Sequence, residues 1–304
     1  MSNLSSMHEA VQFIEQHLKA PMSVQDVADA AGYSVYHFSR TFNRVIGHSP
    51  YDYIMRRRLT ESARELTASG KRIIDVAFEY QFNNPETYSR AFRRMFGVLP
   101  NQVSKSKELP RGMRPEATLA YIRHINQGAY MRPALVEREA IHLVGLSSRA
   151  GDGADVLAEL WELLGGEIER IPKRRKAAGL YGVWSSALSE DPRASFLMLG
   201  VMVDSLDTIP PALVGKTIPP LSYARFIHKG PSRDLCLTLD YIHGTWLPKS
   251  GHSTAAPFVI EVYGEGYRGP NDSDSESEIL IPIRKVEGGS PIASHSHKSQ
   301  RHQE

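Results

Sequence analysis

The 304 residues are 41% hydrophobic and 23% charged, the composition of a soluble globular chain long enough for two domains. A net charge of +2 is too small to announce a polyanionic partner, and one cysteine, Cys236, excludes an internal disulfide and fits a reducing compartment. No apolar run reaches the roughly 18 residues of a membrane span, and Met1 to Ala10 lacks a signal-peptide profile, so a cytoplasmic chain with no membrane partner is expected.

In chain order, Val11, Ile14 and Leu18 make an apolar helical stripe that stops at Pro21. Ser23 reads as the N-cap of a short helix that turns Val24, Val27, Ala28 and Ala31 inward and breaks at Gly32. Ser34 caps the next helix, which runs to Gly47 with Phe38, Phe42 and Val45 on its buried side. A longer helix is expected over Pro50–Thr67, with Met55, Leu59, Ala63 and Leu66 inward. The pattern then recurs: Ser39-Arg40-x-Phe42-x-Arg44-x-x-Gly47-x-x-Pro50 matches Ser89-Arg90-x-Phe92-x-Arg94-x-x-Gly97-x-x-Pro100 at a spacing of 50. Asp26-Val27-Ala28 matches Asp75-Val76-Ala77 one residue closer, so the second turn is longer by one.

A helix entering the major groove needs one apolar face and one polar face that reaches base edges. Tyr36, Ser39, Arg40 and Arg44 form such a polar stripe opposite Phe38 and Phe42; Glu86, Thr87, Arg90 and Arg94 form the second, opposite Tyr88, Phe92 and Phe96. One such helix would read as the solvated face of a bundle, but the duplication with an Arg in the same register favours two helix-turn-helix units on double-stranded DNA. Residues 1–108 carry 14 Lys and Arg against 11 Asp and Glu, a surplus that permits this. The run Arg56-Arg57-Arg58 is either a solvated face or a phosphate contact.

Lys105–Pro115 reads as a linker, and the domain limits expected are 1–107, a linker over 108–120, a second domain over 121–286 and a disordered tail over 287–304. The second domain shows strand-like Ile141–Ser148, helical Asp155–Ile171, and strand-like Gly179–Ser185 and Phe196–Val203. Strand-like Tyr223–His228, helical Ser232–Leu247, and strand-like Phe258–Tyr263 and Ile279–Arg284 then repeat that order. The fold class is therefore an all-α double helix-turn-helix domain followed by an α+β domain of duplicated β-α-β-β modules. Glu261 interrupts an apolar strand: it is either an alternating surface residue or a carboxylate among aromatics suited to a hydrophobic cation. Tyr263, Trp184, Tyr181, Tyr223 and Trp246 are the accompanying aromatics, each also readable as core. Cys236 reads as a small buried hydrophobe, and the tail histidines His295, His297 and His302 lack metal-ligand partners, so neither metal nor cofactor is expected.

These motifs carry two resemblances. Residues 8–104, above all Ala31-Gly32-Tyr33-Ser34-Val35-Tyr36-His37-Phe38-Ser39-Arg40-Thr41-Phe42 and Gly47-His48-Ser49-Pro50, resemble the DNA-binding domain of AraC/XylS-type transcription regulators. That resemblance implies base reading by Tyr36, Ser39 and Arg40, then by Thr87 and Arg90, with Pro85 and Glu86 where some relatives carry glutamines. Val103-Ser104-Lys105 departs from the family's aromatic-and-basic ending. Residues 121–285, through Pro257 to Gly264 and Ser277 to Ile283, resemble the GyrI-type small-molecule-binding domain, and the domain order resembles Rob-type regulators. Promoter DNA, RNA polymerase and a small-molecule effector are the partners this implies, in a chain that is not an enzyme. A hydrolase with Glu261 as general base, or a protein-interaction module, stays open for the second domain.

Overall fold

The computed structural model describes residues 3–110, 112–127, 131–149, 155–185 and 196–286. The expected tail, with its histidines, lies outside them. The chain divides into a helical unit, Met1–Gly128 with Cys236–Trp246, and a sheet unit, Ala129–Leu235 with Leu247–Glu304.

The helical unit opens with α1 (Asn3–Gln16), α2 (Val24–Ala30), α3 (Val35–Ile46) and α4 (Pro50–Ala68). It continues with α5 (Ile73–Glu79), α6 (Pro85–Phe96), α7 (Pro100–Ser106) and α8 (Leu119–Ile125). Ser23 and Asp26 build a reciprocal cap on α2, whereas Ser34 holds the cap position of α3 without a side-chain bond. Gly47 and Gly97 end the two equivalent helices in left-handed backbone. The turn before α6 is one residue longer than the turn before α3, as the register shift requires.

Each repeat has its own core on one half of α4. Phe38, Phe42, Ile46, Tyr53 and Ile54 fill the first with α1, while Tyr88, Phe92 and Phe96 fill the second against Leu59, Ala63 and Leu66. Ring pairs Phe38–Phe42 and Tyr88–Phe92, at 5.3 and 5.5 Å, are the duplicated centre of each.

The segment read as a linker is instead structural. Ala117, Tyr121 and Ile122 belong to the first core, the Ala117 amide donates to the Tyr53 hydroxyl (3.0 Å), and the Arg114 amide donates to Thr60 (2.9 Å). The Arg114 guanidinium is buried between the Tyr53 and Tyr121 rings. Lysines, prolines and glycines suggested an exposed tether, but the buried residues are spaced among them, and composition does not register them.

The helix α10 (Leu235–Tyr241) continues into a π-turn, Ile242–Trp246, and all but its first residue clusters with the helical unit. Leu237 and Tyr241 pack on the first core, leaving Cys236 exposed on another side of the helix, contrary to its expected burial. His48 is buried in the turn after α3, with Nδ1 2.6 Å from Asp52 and Nε2 3.1 Å from the Gly244 carbonyl.

The sheet unit contains β1 (Ala134–Arg138), β2 (Ile141–Arg149), α9 (Asp155–Glu167), β3 (Leu180–Ser185) and β4 (Phe196–Val203). After these come β5 (Val214–Ile218), β6 (Leu221–Lys229), β7 (His252–Thr254), β8 (Phe258–Tyr263) and β9 (Glu276–Lys285). One antiparallel sheet runs β1-β6-β9-β8-β3-β4-β2-β5, with β7 on β9. The two β-α-β-β modules meet at the β3–β8 pair. Two residues join β1 to β2 and two join β5 to β6, yet each joined pair sits at opposite ends of the sheet order. Such links reach at most about 11 Å, so the sheet must curl until its ends meet. Val136, Ile141, Ile218 and Leu221 from those ends accordingly share one core inside the curl. The other face carries the second core, under Leu157, Leu160, Trp161 and Leu164 of α9.

Candidate nucleic-acid interface and buried carboxyl site

The exposed polar faces of α3 and α6 are built from the same positions. Tyr36, His37, Arg40, Asn43 and Arg44 are exposed on α3; Glu86, Thr87, Arg90, Arg93 and Arg94 are exposed at the positions 50 residues on. Tyr36 is 79% exposed, an unusual state for an aromatic and one suited to contact with a base or sugar. Ser39 is only half-buried at the edge of the face. His37, Arg40, Thr41, Asn43 and Arg44 line a concavity of about 430 Å³. His37, stacked on Tyr33 at 5.1 Å, Asn43 and Arg93 were not among the base-reading residues expected from the sequence. The 3.6-residue period alone would have placed His37 beside Arg40 and Arg44. Pro85 occupies the first turn of α6, where its missing N–H costs nothing, and Asn84 caps Thr87 at 2.7 Å, so this helix starts normally.

The Arg run on α4 takes neither role expected of it. Arg57 is 4% exposed, forks onto Glu15 at 2.8 and 2.7 Å, and reaches Glu61 at 2.8 Å and the Arg114 carbonyl. Arg58 is buried and donates to the Leu18 and Ala20 carbonyls just beyond α1. Arg56 binds Asp52 at 2.9 Å. Burial works against ionisation of Asp52, but His48 and Arg56 outweigh it and hold the carboxyl well below the usual range. The guanidinium groups of Arg57 and Arg58 face inward because consecutive positions on a helix project 100° apart, and two of the three directions meet α1 or its end.

In the sheet unit, Glu261 is 2% exposed, which settles its alternatives against a surface residue. Oε2 accepts from the Tyr263 hydroxyl at 2.9 Å and Oε1 from Ser277 at 2.8 Å. Burial raises its pKa, partly opposed by Ser277, Tyr263 and the Trp184 indole, which lies near without reaching hydrogen-bond geometry. Aromatic rings enclose the group: Trp161 meets Tyr263 edge-on at 4.9 Å and stacks on Tyr267 at 5.8 Å, and Tyr263 and Tyr267 are 4.7 Å apart. Trp161, Tyr267 and Ser277 were missed: Trp161 stands on α9, Tyr267 sits in the loop after β8, and Ser277 is identified only by strand pairing.

Strand alternation separates the remaining aromatics. Trp184 and Tyr263 share the α9-covered face, but Tyr181 and Tyr223 point into the core inside the curled sheet. Trp246 belongs to the segment that clusters with the helical unit. Three of the six expected ligand residues, Glu261, Tyr263 and Trp184, are therefore brought together. Gly182 lies directly across from Glu261. A Cβ there would sit 3.2 Å from the Tyr263 hydroxyl oxygen, so Gly182→Ala should push that hydroxyl off Glu261 and cost about 1 kcal/mol in denaturant unfolding. Unchanged stability would show that Tyr263 gives way freely.

A model of the helix-turn-helix domain matches residues 27–106, and a model of the GyrI-like small molecule binding domain matches residues 131–284. The right origin-binding protein of Escherichia coli (strain K12) is 26% identical over 301 residues, covering 94% of this chain and 100% of that protein. Transcriptional regulator Rob of Salmonella typhimurium is 36% identical over 120 residues, 39% of this chain and 42% of that protein. The multiple antibiotic resistance protein MarA of Salmonella typhimurium is 35% identical over 97 residues, 32% of this chain and 76% of that protein.

Proposed function

The chain belongs to the AraC-type transcription regulators that carry a GyrI-like small molecule binding domain, and from that premise we propose that α3 and α6 read two successive major-groove segments while Glu261 receives a hydrophobic cation. The observation that carries the DNA half is the recurrence, 50 residues apart, of an exposed polar face with Arg40 or Arg90 at its centre. Two unlike helices on one chain call for a non-palindromic site, its halves about one helical turn, roughly 34 Å, apart. Arg40→Ala should weaken binding to a site selected from random DNA by about 1–3 kcal/mol and relax the preference at one base position. Equal weakening on all sequences would reassign Arg40 to phosphate. Glu86 favours a cytosine amino group but repels phosphate, so more of the sequence choice falls to α3.

For the ligand half, the supporting observation is a buried carboxyl with a donor on each oxygen and an aromatic enclosure. It is a host for positive charge spread over apolar surface. RNA polymerase is the further partner expected of a regulator that acts at promoters. No helix among the described residues is long and apolar enough to cross a membrane.

A further inference from the structure

The turn between the two helices of each repeat passes through left-handed backbone. In the first repeat the residue there is Gly32, at φ +72°. Its counterpart 49 residues on is Gln81, at φ +65°. A residue with a Cβ costs about 1–2 kcal/mol in that conformation, so Gln81 is held in strain where glycine would be free of it. Observed strain of this kind points to a role for the side chain. Gln81 Nε2 donates to the Lys19 carbonyl at 2.7 Å, bridging from the second repeat to the chain just after α1.

Lys19 answers across the same gap. Its ammonium donates to Glu65 on α4 at 2.6 Å and to Glu79 on α5 at 3.1 Å, and lies over the Tyr80 ring. Lys71 binds both of these carboxylates, at 2.6 Å to Glu65 and 2.8 Å to Glu79, and the Tyr80 hydroxyl donates to Glu65 at 3.1 Å. Glu65 is held at about 2 by the Lys19 hydrogen bond and then by Lys71. Single half-exposed ion pairs contribute little; here two cations and two anions alternate, tied to a strained glutamine. The 19 residues of α4, and the segment that leads from α7 to α8, also connect the two cores.

We propose that Gln81 and Lys19 form a latch that fixes the angle between the two reading helices, and so selects DNA by the spacing of its half-sites. The proposal rests on both helices reading DNA. One inserted base pair shifts a half-site by roughly 3.4 Å and turns it by roughly 35°, so a fixed angle penalises altered spacing and a loose one tolerates it.

The test uses the full chain and three DNAs: a site selected from a random pool, and the same site with one base pair added or removed between its halves. Wild type should bind the altered DNAs about tenfold or more weakly. In Gln81→Gly and in Lys19→Gln that ratio should shrink by about threefold or more. The ratio comes from one preparation on several DNAs, so loss of folded protein cancels from it, and a merely structural role would leave it unmoved. An unchanged ratio in both variants, or no spacing penalty in wild type, overturns the latch. Arg90→Ala on the unaltered site separates the two levels. No loss there would mean that α6 does not read and the two-helix premise fails. A loss there, with spacing ratios unchanged in the variants, would remove the latch alone.

Discussion

Replacing Arg57 by Ala will destabilise the helical unit by about 3–5 kcal/mol, the cost of leaving one member of a buried ion pair unmatched. Glu15, at 15% side-chain exposure, would be left with the Tyr53 hydroxyl, at 3.2 Å, as its partner among the described residues. The Arg114 carbonyl would lose its donor as well. Arg57→Lys retains charge but not the fork, and should fall between wild type and Ala. Replacing Arg57 and Glu15 together by Met should recover most of the loss, because a buried pair exchanged for apolar groups of similar size is often neutral. Urea unfolding followed by helical circular dichroism measures all four proteins. If Arg57→Ala were within 1 kcal/mol of wild type by that measure, roughly the worth of a surface pair, the residue would return to the phosphate-contacting role its sequence allowed.

If Glu261 receives a hydrophobic cation as proposed, Glu261→Gln should reduce affinity for such a cation and remove its pH dependence. In the ligand-free protein, burial raises this carboxyl above its ordinary 4.5. A hydrophobic cation pairs with the anion, so binding expels a proton wherever the pH lies below the raised value. Affinity should then climb by up to about tenfold per pH unit in that range and level off above it. Stability without ligand has the opposite sign. The folded state holds its proton more tightly than the unfolded one, so Glu261's contribution declines as pH rises from 4.5 through the raised value. Titration calorimetry in buffers of different ionisation enthalpy counts the proton directly. Wild-type affinity that is flat with pH, or equal binding of a neutral compound of the same shape, would count against the carboxyl as the recognising group.

What the sequence made legible were features with a period. The 50-residue duplication, the apolar stripes of Phe38, Phe42, Tyr88 and Phe92, and the doubled β-α-β-β order all reappear in the structure. What stayed hidden depended on pairing between distant segments. Alternation along β8 separates Glu261 from Ile260, but only the register of β3 on β8 shows that Trp184 shares the Glu261 face while Tyr181 does not. The three arginines of α4 look alike in a list; which of them meets Glu15, the end of α1 or Asp52 is a property of helix packing. Arg114 looks like tether, and Tyr121 like the start of the second domain, because nothing local marks a segment that completes another element's core.

His48 closes the turn between α3 and α4 by way of the Gly244 carbonyl and the Thr245 hydroxyl, nearly 200 residues further along the chain. During synthesis, at about 5–20 residues per second, that stretch takes roughly 10–40 s to follow. For that interval Nε2 of the imidazole must be hydrated or bound elsewhere, and α3 must be followed by an unfinished turn. A chain cut short anywhere between Arg94 and Gly244 would keep every side chain on the exposed polar faces of α3 and α6 and still lack the groups that close this turn. Translation itself thus orders the assembly: the part of the protein made first is among the last to be finished.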